Sequence, residues 1–232
     1  MTSSIRYVLA LILILVIAYL IYMYAPKAPV FTNTATSSAA GASAGTQLKV
    51  SDVYASTATY KVEAHYPQFG IPSVDTKIKS TVEKAVAEFE SYPANPADSA
   101  VPQNEFNGSF NSVYVGADVV SVALLLSEYT GGAHPNTNIV SVNVDPRTGR
   151  ELTLNDALAM TGKTLSQVAT ESLAQVETKI GADMTFPEGA DPKPENYSTF
   201  IISKEKVTFI FNSYQVAPYA AGAQQTEFSR VK

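Results

Sequence analysis

Chemistry in this chain concentrates in two unusual loops. The first reads Tyr129-Thr130-Gly131-Gly132-Ala133-His134-Pro135-Asn136. Two adjacent glycines let backbone approach a partner closely, and an imidazole can donate, accept or take up a proton. Tyr129, Gly131, Gly132, His134 and Asn136 are therefore candidate ligand contacts. The same residues also fit a tight connection between two strands, with the histidine satisfying nearby backbone groups. The second loop reads Tyr214-Gln215-Val216-Ala217-Pro218-Tyr219-Ala220-Ala221-Gly222. Tyr214 and Tyr219 offer apolar faces with polar tips, suited to lining a sugar-binding groove or to capping a core where a strand turns.

Other chemistries are poorly served. The 232 residues contain no Cys, which removes disulfides, thiolate metal sites and thiol nucleophiles. They contain two His, and neither lies in a metal-binding spacing. Ser127, Glu128, Ser141 and Asp145 are near His134 in sequence, but no Gly-x-Ser-x-Gly elbow is present. Gly162-Lys163-Thr164 echoes the end of a phosphate-binding loop, yet Ala157 stands where the earlier glycine belongs. His65 falls in an alternating segment, which points it to solvent or to local packing. No cofactor is expected.

Charge and hydropathy divide the chain. Residues 1–46 hold no acidic side chain and only Arg6 and Lys27 as basic ones. The remainder carries 14 Lys+Arg against 21 Asp+Glu, a net charge of −7, which disfavours a phosphate backbone as partner. Residues 5–24 form an almost unbroken apolar run that, as a helix, spans about 30 Å, the hydrocarbon thickness of a bilayer. Tyr7 at one end and Tyr19, Tyr22 and Tyr24 at the other resemble interfacial anchors. The run exceeds an ordinary signal-peptide core, so it is read as an uncleaved signal-anchor. It implies a short cytoplasmic N-terminus and a C-terminal domain outside the cytoplasm. Residues 25–46, rich in Ala, Ser, Thr, Gly and Pro, read as a flexible stalk reaching about 25 Å.

The rest reads as an α+β fold, with largely antiparallel sheets packed with helices in two subdomains, 47–103 and 104–232. Thr57 to Tyr66 alternates as a strand. Val74, Ile78, Val82, Val86 and Phe89 recur at helical spacing, with Ser73 as N-cap and Asp75 near the positive end. The Pro-rich stretch 91–103 is a candidate subdomain boundary. Strands are expected over 110–115, 119–129 and 138–144, followed by a turn at Asp145-Pro146-Arg147-Thr148-Gly149. Thr153 to Asp156 is a capping-box pattern. A longer helix follows, with Leu165, Val168, Ala169, Leu173, Val176 and Ile180 on one face and Gly181 as its stop. Residues 182–196 read as a loop. A hairpin over 199–212 and a last strand over 226–231 complete the pattern.

Three blocks taken together resemble a known family. They are His65-Tyr66-Pro67-Gln68-Phe69 with the helix after Val74, the Tyr129 to His134 loop with Asp145 to Leu154, and Phe209-Ile210-Phe211 through Gly222. Their order is similar to the extracytoplasmic domain of the lysozyme-sensing sigma-V anti-sigma factor (RsiV-like). A related domain accompanies a membrane-anchored peptidoglycan deacetylase and occurs in uncharacterised bacterial surface proteins. The resemblance implies an α+β fold facing outward from a single-pass anchor. It also implies a cell-wall glycan, or a glycan-acting protein such as lysozyme, as partner. The expected cytoplasmic tail of about five residues is too short for a sigma-binding domain and no deacetylase domain is read in these residues, so no catalytic residues are carried over. Recognition is thus the leading expectation. An envelope hydrolase or esterase using His134, and a purely structural envelope protein, are the alternatives.

Overall fold

The computed structural model describes residues 48–96, 100 and 103–231. The expected membrane helix and stalk lie outside the described residues. Among the described residues no helix is long and apolar enough to cross a membrane.

A five-stranded sheet, in the order β1-β2-β3-β4-β5, comes first: β1 (Lys49–Ser56), β2 (Tyr60–Gln68), β3 (Asn104–Val115), β4 (Val120–Tyr129) and β5 (Asn136–Val144). Its neighbours are antiparallel except β2 and β3, which run parallel. That parallel pair needs a crossover, and helix α1 (Pro72–Glu90) supplies it. The five apolar side chains expected on one helical face, Val74, Ile78, Val82, Val86 and Phe89, are all buried. They pack on Val62, Ala64, Tyr66, Phe106, Val122 and Leu124 from the inner face of the sheet. Each such burial contributes about 1.5–3 kcal/mol. Ser73 is not the N-cap. The helix starts two residues earlier than that cap implies, at Pro72, whose fixed φ suits the first turn, and Ile71 takes the cap position without a side-chain bond. Asp75 instead accepts from the backbone N–H of Phe69 at 2.7 Å.

The Pro-rich segment 91–103 joins α1 to β3 within this one sheet. The expected boundary at 103/104 therefore runs between neighbouring strands. The chain leaves the sheet only after β5, through the turn at Asp145, where Gly149 has φ +73°.

Two helices and a second sheet follow. Helix α2 (Leu154–Thr161) opens with the expected capping box, Thr153 with Asp156. Helix α3 (Leu165–Ile180) opens with a second one, Thr164 with Gln167. Between them Gly162 closes α2 in a left-handed conformation. The Gly162-Lys163-Thr164 triplet is thus a helix stop followed by a helix start. The second sheet has the order β6-β7-β8: β6 (Phe200–Ile202), β7 (Lys206–Phe211) and β8 (Gln224–Ser229), all antiparallel. One face packs Phe209, Phe211, Val207 and Phe228 with Val168, Val176 and Ala157 of the helices.

The other face of the second sheet meets the outer side of β4 and β5. Ala123, Ile139 and Ile210 are buried there, with Leu125 and Ile201 against them. Side chains complete the junction. Ile202 N–H donates to Ser121 Oγ at 2.8 Å, and Phe200 N–H donates to Ser141 Oγ at 3.1 Å. Asn143 Nδ2 donates to the Phe200 carbonyl at 2.8 Å. The layers are therefore α1, the five-stranded sheet, the three-stranded sheet over part of its outer face, and α2 with α3.

Candidate functional site

The glycine-rich loop links β4 to β5. Gly131 and Gly132 have φ of +101° and +115°, values that side chains resist, which accounts for two adjacent glycines. Tyr129 closes the loop by donating from its hydroxyl to the Gly132 carbonyl at 2.9 Å. Residues 131–136 are all exposed. His134 Nδ1 lies 2.9 Å from the Pro135 carbonyl. A carbonyl only accepts, so Nδ1 carries the proton and Nε2 of the neutral ring is an acceptor. Nε2 lies 3.4 Å from the Tyr214 hydroxyl.

The second loop, 212–223, arrives from the end of β7. Tyr214 has φ +69°, the single non-glycine residue with positive φ among those described. That conformation costs about 1–2 kcal/mol and persists only where the surroundings impose it. Here they do. Gln215 N–H donates to the Asn212 carbonyl at 3.0 Å, and Asn212 N–H donates to Gln215 Oε1 at 3.2 Å. Gln215 Nε2 donates to the carbonyls of Gly189 at 3.1 Å and Asn196 at 2.9 Å. Those carbonyls belong to 3₁₀ turns, Pro187–Ala190 and Pro194–Tyr197. A side chain at Gly189 would place its Cβ 1.8 Å from the Gln215 carbonyl oxygen, so glycine is required for this approach. Below the turns, buried Tyr197 donates to the Ala190 carbonyl at 2.7 Å, and burial pushes its phenol up to about 12.

The clamp brings three of the expected site residues together. The His134 and Tyr219 rings stack, with centroids 3.7 Å apart and planes 14° from parallel. Tyr214 stands beside both, at 6.4 Å from His134 and 5.3 Å from Tyr219. The Tyr219 hydroxyl donates to the Pro135 carbonyl at 3.1 Å. Tyr129 shapes the loop, Gly131 and Gly132 turn it, and Asn136 begins β5 opposite Glu128 as an exposed residue. With a carbonyl at Nδ1 and a phenol at Nε2, His134 holds none of the carboxylate contacts that orient a general base. Its arrangement offers an apolar face edged by hydrogen-bonding tips.

A second polar cluster was not expected. His65 Nδ1 lies 2.6 Å from Asp52 Oδ1, and Nε2 lies 3.5 Å from Glu63 Oε1. The bond to Asp52 is the main reason the imidazole is raised above its ordinary range. The pair lies on the outer face of β1 and β2, at directly opposed register positions. Alternation along β2 correctly sent His65 outward. Its carboxylate partner lies on β1, whose KVSDVYAS sequence gives only a weak strand signal. Among the described residues no group of three or more His, Asp or Glu side chains is placed to hold a metal ion.

Two family models match successive parts of the chain. The model described as deacetylase PdaC matches residues 54–137, from β1 into the start of β5. The model described as a protein of unknown function, DUF3298, matches residues 155–230, from α2 to the end of the chain's last strand. The peptidoglycan-N-acetylmuramic acid deacetylase PdaC of Bacillus subtilis is 27% identical over 170 residues, covering 72% of this chain and 36% of that protein. The chain thus spans about a third of that relative's length. The immunogenic protein MPT64 of Mycobacterium tuberculosis is 22% identical over 179 residues, 77% of this chain and 76% of that one. Crystal structures of DUF3298 family proteins share the fold. One from Bacteroides fragilis has a TM-score of 0.53 and one from Pseudomonas aeruginosa 0.51. Each is 18% identical and covers 79% of this chain and 91% of the other.

Proposed function

We propose that this protein is a membrane-anchored recognition domain outside the bacterial cytoplasm, and that it binds cell-wall glycan or a glycan-acting protein such as lysozyme. The observation that carries the reading is the stacked pair of exposed His134 and half-buried Tyr219, with exposed Tyr214 beside it, held by two clamped loops. Such a corner meets the requirements of recognition. Its rings are ordered before a ligand arrives, so little freedom is lost on binding. Aromatic faces fit the C–H faces of a sugar or an apolar protein surface, while the phenols and imidazole satisfy hydroxyls. Tyr129, Gly131, Gly132 and Asn136 complete the contact surface.

Further support comes from the match to a deacetylase of peptidoglycan, which associates this segment with the bacterial wall. The apolar run at residues 5–24 and the stalk at 25–46 would hold the domain at the outer side of the membrane. The −7 charge of residues 47–232 would favour a basic protein partner. The sigma-V anti-sigma factor resemblance adds lysozyme to the ligands to be tried.

The test is calorimetric titration of the full chain, in detergent, with soluble peptidoglycan fragments and with lysozyme. Saturable binding to one of them is expected, weakened about three- to tenfold by Tyr219→Ala, in line with the ~0.5–1.5 kcal/mol that an aromatic contact adds. Absence of binding to both by a folded sample would overturn the reading.

A further inference from the structure

The three-stranded sheet covers only part of the outer face of the five-stranded sheet. It sits on β4 and β5, where Ala123 and Ile139 are buried. Toward β1 no element among the described residues covers that face, and Asp52, Asn107 and Ser109 are exposed there. At the step between the covered and open parts lies a depression of about 360 Å³. Its lining includes Glu63 and His65 from β2, Asn107 and Ser109 from β3, Ser127 from β4 and Thr137 from β5.

We propose that this depression is a second binding site, distinct from the loop corner, and that it takes an uncharged polyhydroxylated saccharide. Its volume falls in the range of small-ligand sites, about 300–1,000 Å³. Its chemistry argues for a polyol. The charged groups are already matched to one another: Glu63 with Lys61 at 3.4 Å, and Asp52 with His65 at 2.6 Å. Neither a strong cation nor a strong anion is called for. What remains is an amide, three hydroxyls and the outer carboxylate oxygens, a mixture of donors and acceptors that suits sugar hydroxyls. Thr137 donates to Ser127 at 2.9 Å, which leaves the Ser127 proton free to be donated in turn. Among the described residues no side-chain hydrogen bond occupies Asn107 or Ser109.

Two features complete the site. Leu125 lines the depression with apolar surface for the C–H face of a ring. Tyr54, at the sheet edge, is 63% exposed, and its ring is set edge-on to His65 at 5.8 Å and 77°. An exposed aromatic ring held in place beside polar groups is a platform on which an extended saccharide could continue past the depression. All of these side chains stand on paired strands, so their spacing is fixed before binding. Gly108 shows how close those strands lie. A Cβ there would meet Ala64 Cβ at 2.6 Å on the opposite, helix-covered face, which fixes the spacing of β2 and β3 beneath the depression.

The experiment titrates the full chain with chitotetraose, cellotetraose and maltotetraose. It compares Tyr54→Ala, Asn107→Ala and Ser109→Trp with Tyr219→Ala and Lys84→Ala, after circular dichroism has established that each is folded. Saturable binding of at least one tetrasaccharide is expected. It should weaken at least fivefold in Tyr54→Ala and Asn107→Ala, vanish in Ser109→Trp, which fills the depression, survive in Tyr219→Ala, and stay unchanged in Lys84→Ala, on the exposed side of α1. Failure of all three saccharides to bind overturns the proposal. So does binding that is lost in Tyr219→Ala and kept in Ser109→Trp, a result that would place the saccharide at the loop corner and support the function proposed above.

Discussion

The carboxamide of Asn212 pairs with both backbone groups of Ile139. The Ile139 N–H donates to Asn212 Oδ1 at 2.6 Å, and Asn212 Nδ2 donates to the Ile139 carbonyl at 3.2 Å. Ile139 lies on β5, the outermost strand of its sheet, so one edge of that strand has no strand neighbour. A single side chain imitates the missing strand at this point. Because Asn212 directly follows β7 and begins the Tyr214 loop, the same pairing sets where that loop meets the histidine loop.

Asn212→Ala is therefore expected to act on stability and on the aromatic corner together. It leaves the Ile139 N–H without its partner, a loss of about 1–3 kcal/mol. Urea unfolding should show the midpoint falling with the slope unchanged. The His134 ring resonances should shift as Tyr219 loses its register. Unchanged resonances in a destabilised variant would mean that the corner is held by Gln215 and Gly189 alone.

The junction between the two sheets makes a second prediction. Asn143 is buried, accepts from the Ser121 hydroxyl at 2.6 Å and donates to the Phe200 carbonyl at 2.8 Å. Ser121 in turn accepts from the Ile202 N–H. These bonds satisfy the free edge of β6 in a place water does not reach. Asn143→Ala strands a hydroxyl and a carbonyl, and a cost of about 2–4 kcal/mol is expected. Ser121→Ala combined with it should cost less than the sum of the two single changes, because the pair shares one network. Strict additivity in urea unfolding would contradict that.

Local signals carried much of this architecture and none of its long-range pairings. Val74 to Phe89 was readable because a helix buries every third or fourth residue, a pattern contained within the element. The capping box at Thr153 was equally local. The start of α1 is ambiguous in sequence because a serine at position 73 has the chemistry of a cap, while Pro72 beside it has the backbone for a first turn. Strand β1 carries no clear sequence signal because it is an edge strand, polar on much of its surface, with Val50 and Tyr54 left exposed. Without β1 there was no register, and without register Asp52 could not be set opposite His65, thirteen residues away. The two aromatic loops stood out separately by composition. Their meeting depends on the second sheet packing over β5, which no local pattern encodes.

The turn after β5 yields a prediction about pH. Asp145 accepts from the Arg147 backbone N–H at 2.9 Å and from its guanidinium Nε and Nη2 at 3.1 Å each. These bonds lower the carboxyl from its ordinary value of 3.8 to about 2. A group whose acidity is increased by folding stabilises the fold only while ionised. Its contribution is therefore fully present above about pH 4 and lost as pH falls through about 2. Asp145→Asn keeps the shape but removes the charge and its response to pH. The variant should unfold at lower urea than the parent at pH 6, and the gap should narrow from pH 4 downward and close near pH 2. Curves that stay parallel across that interval would show that the carboxylate keeps an unshifted acidity, and that the turn is held by Gly149 N–H donating to the Asp145 carbonyl at 2.8 Å rather than by the ion pair.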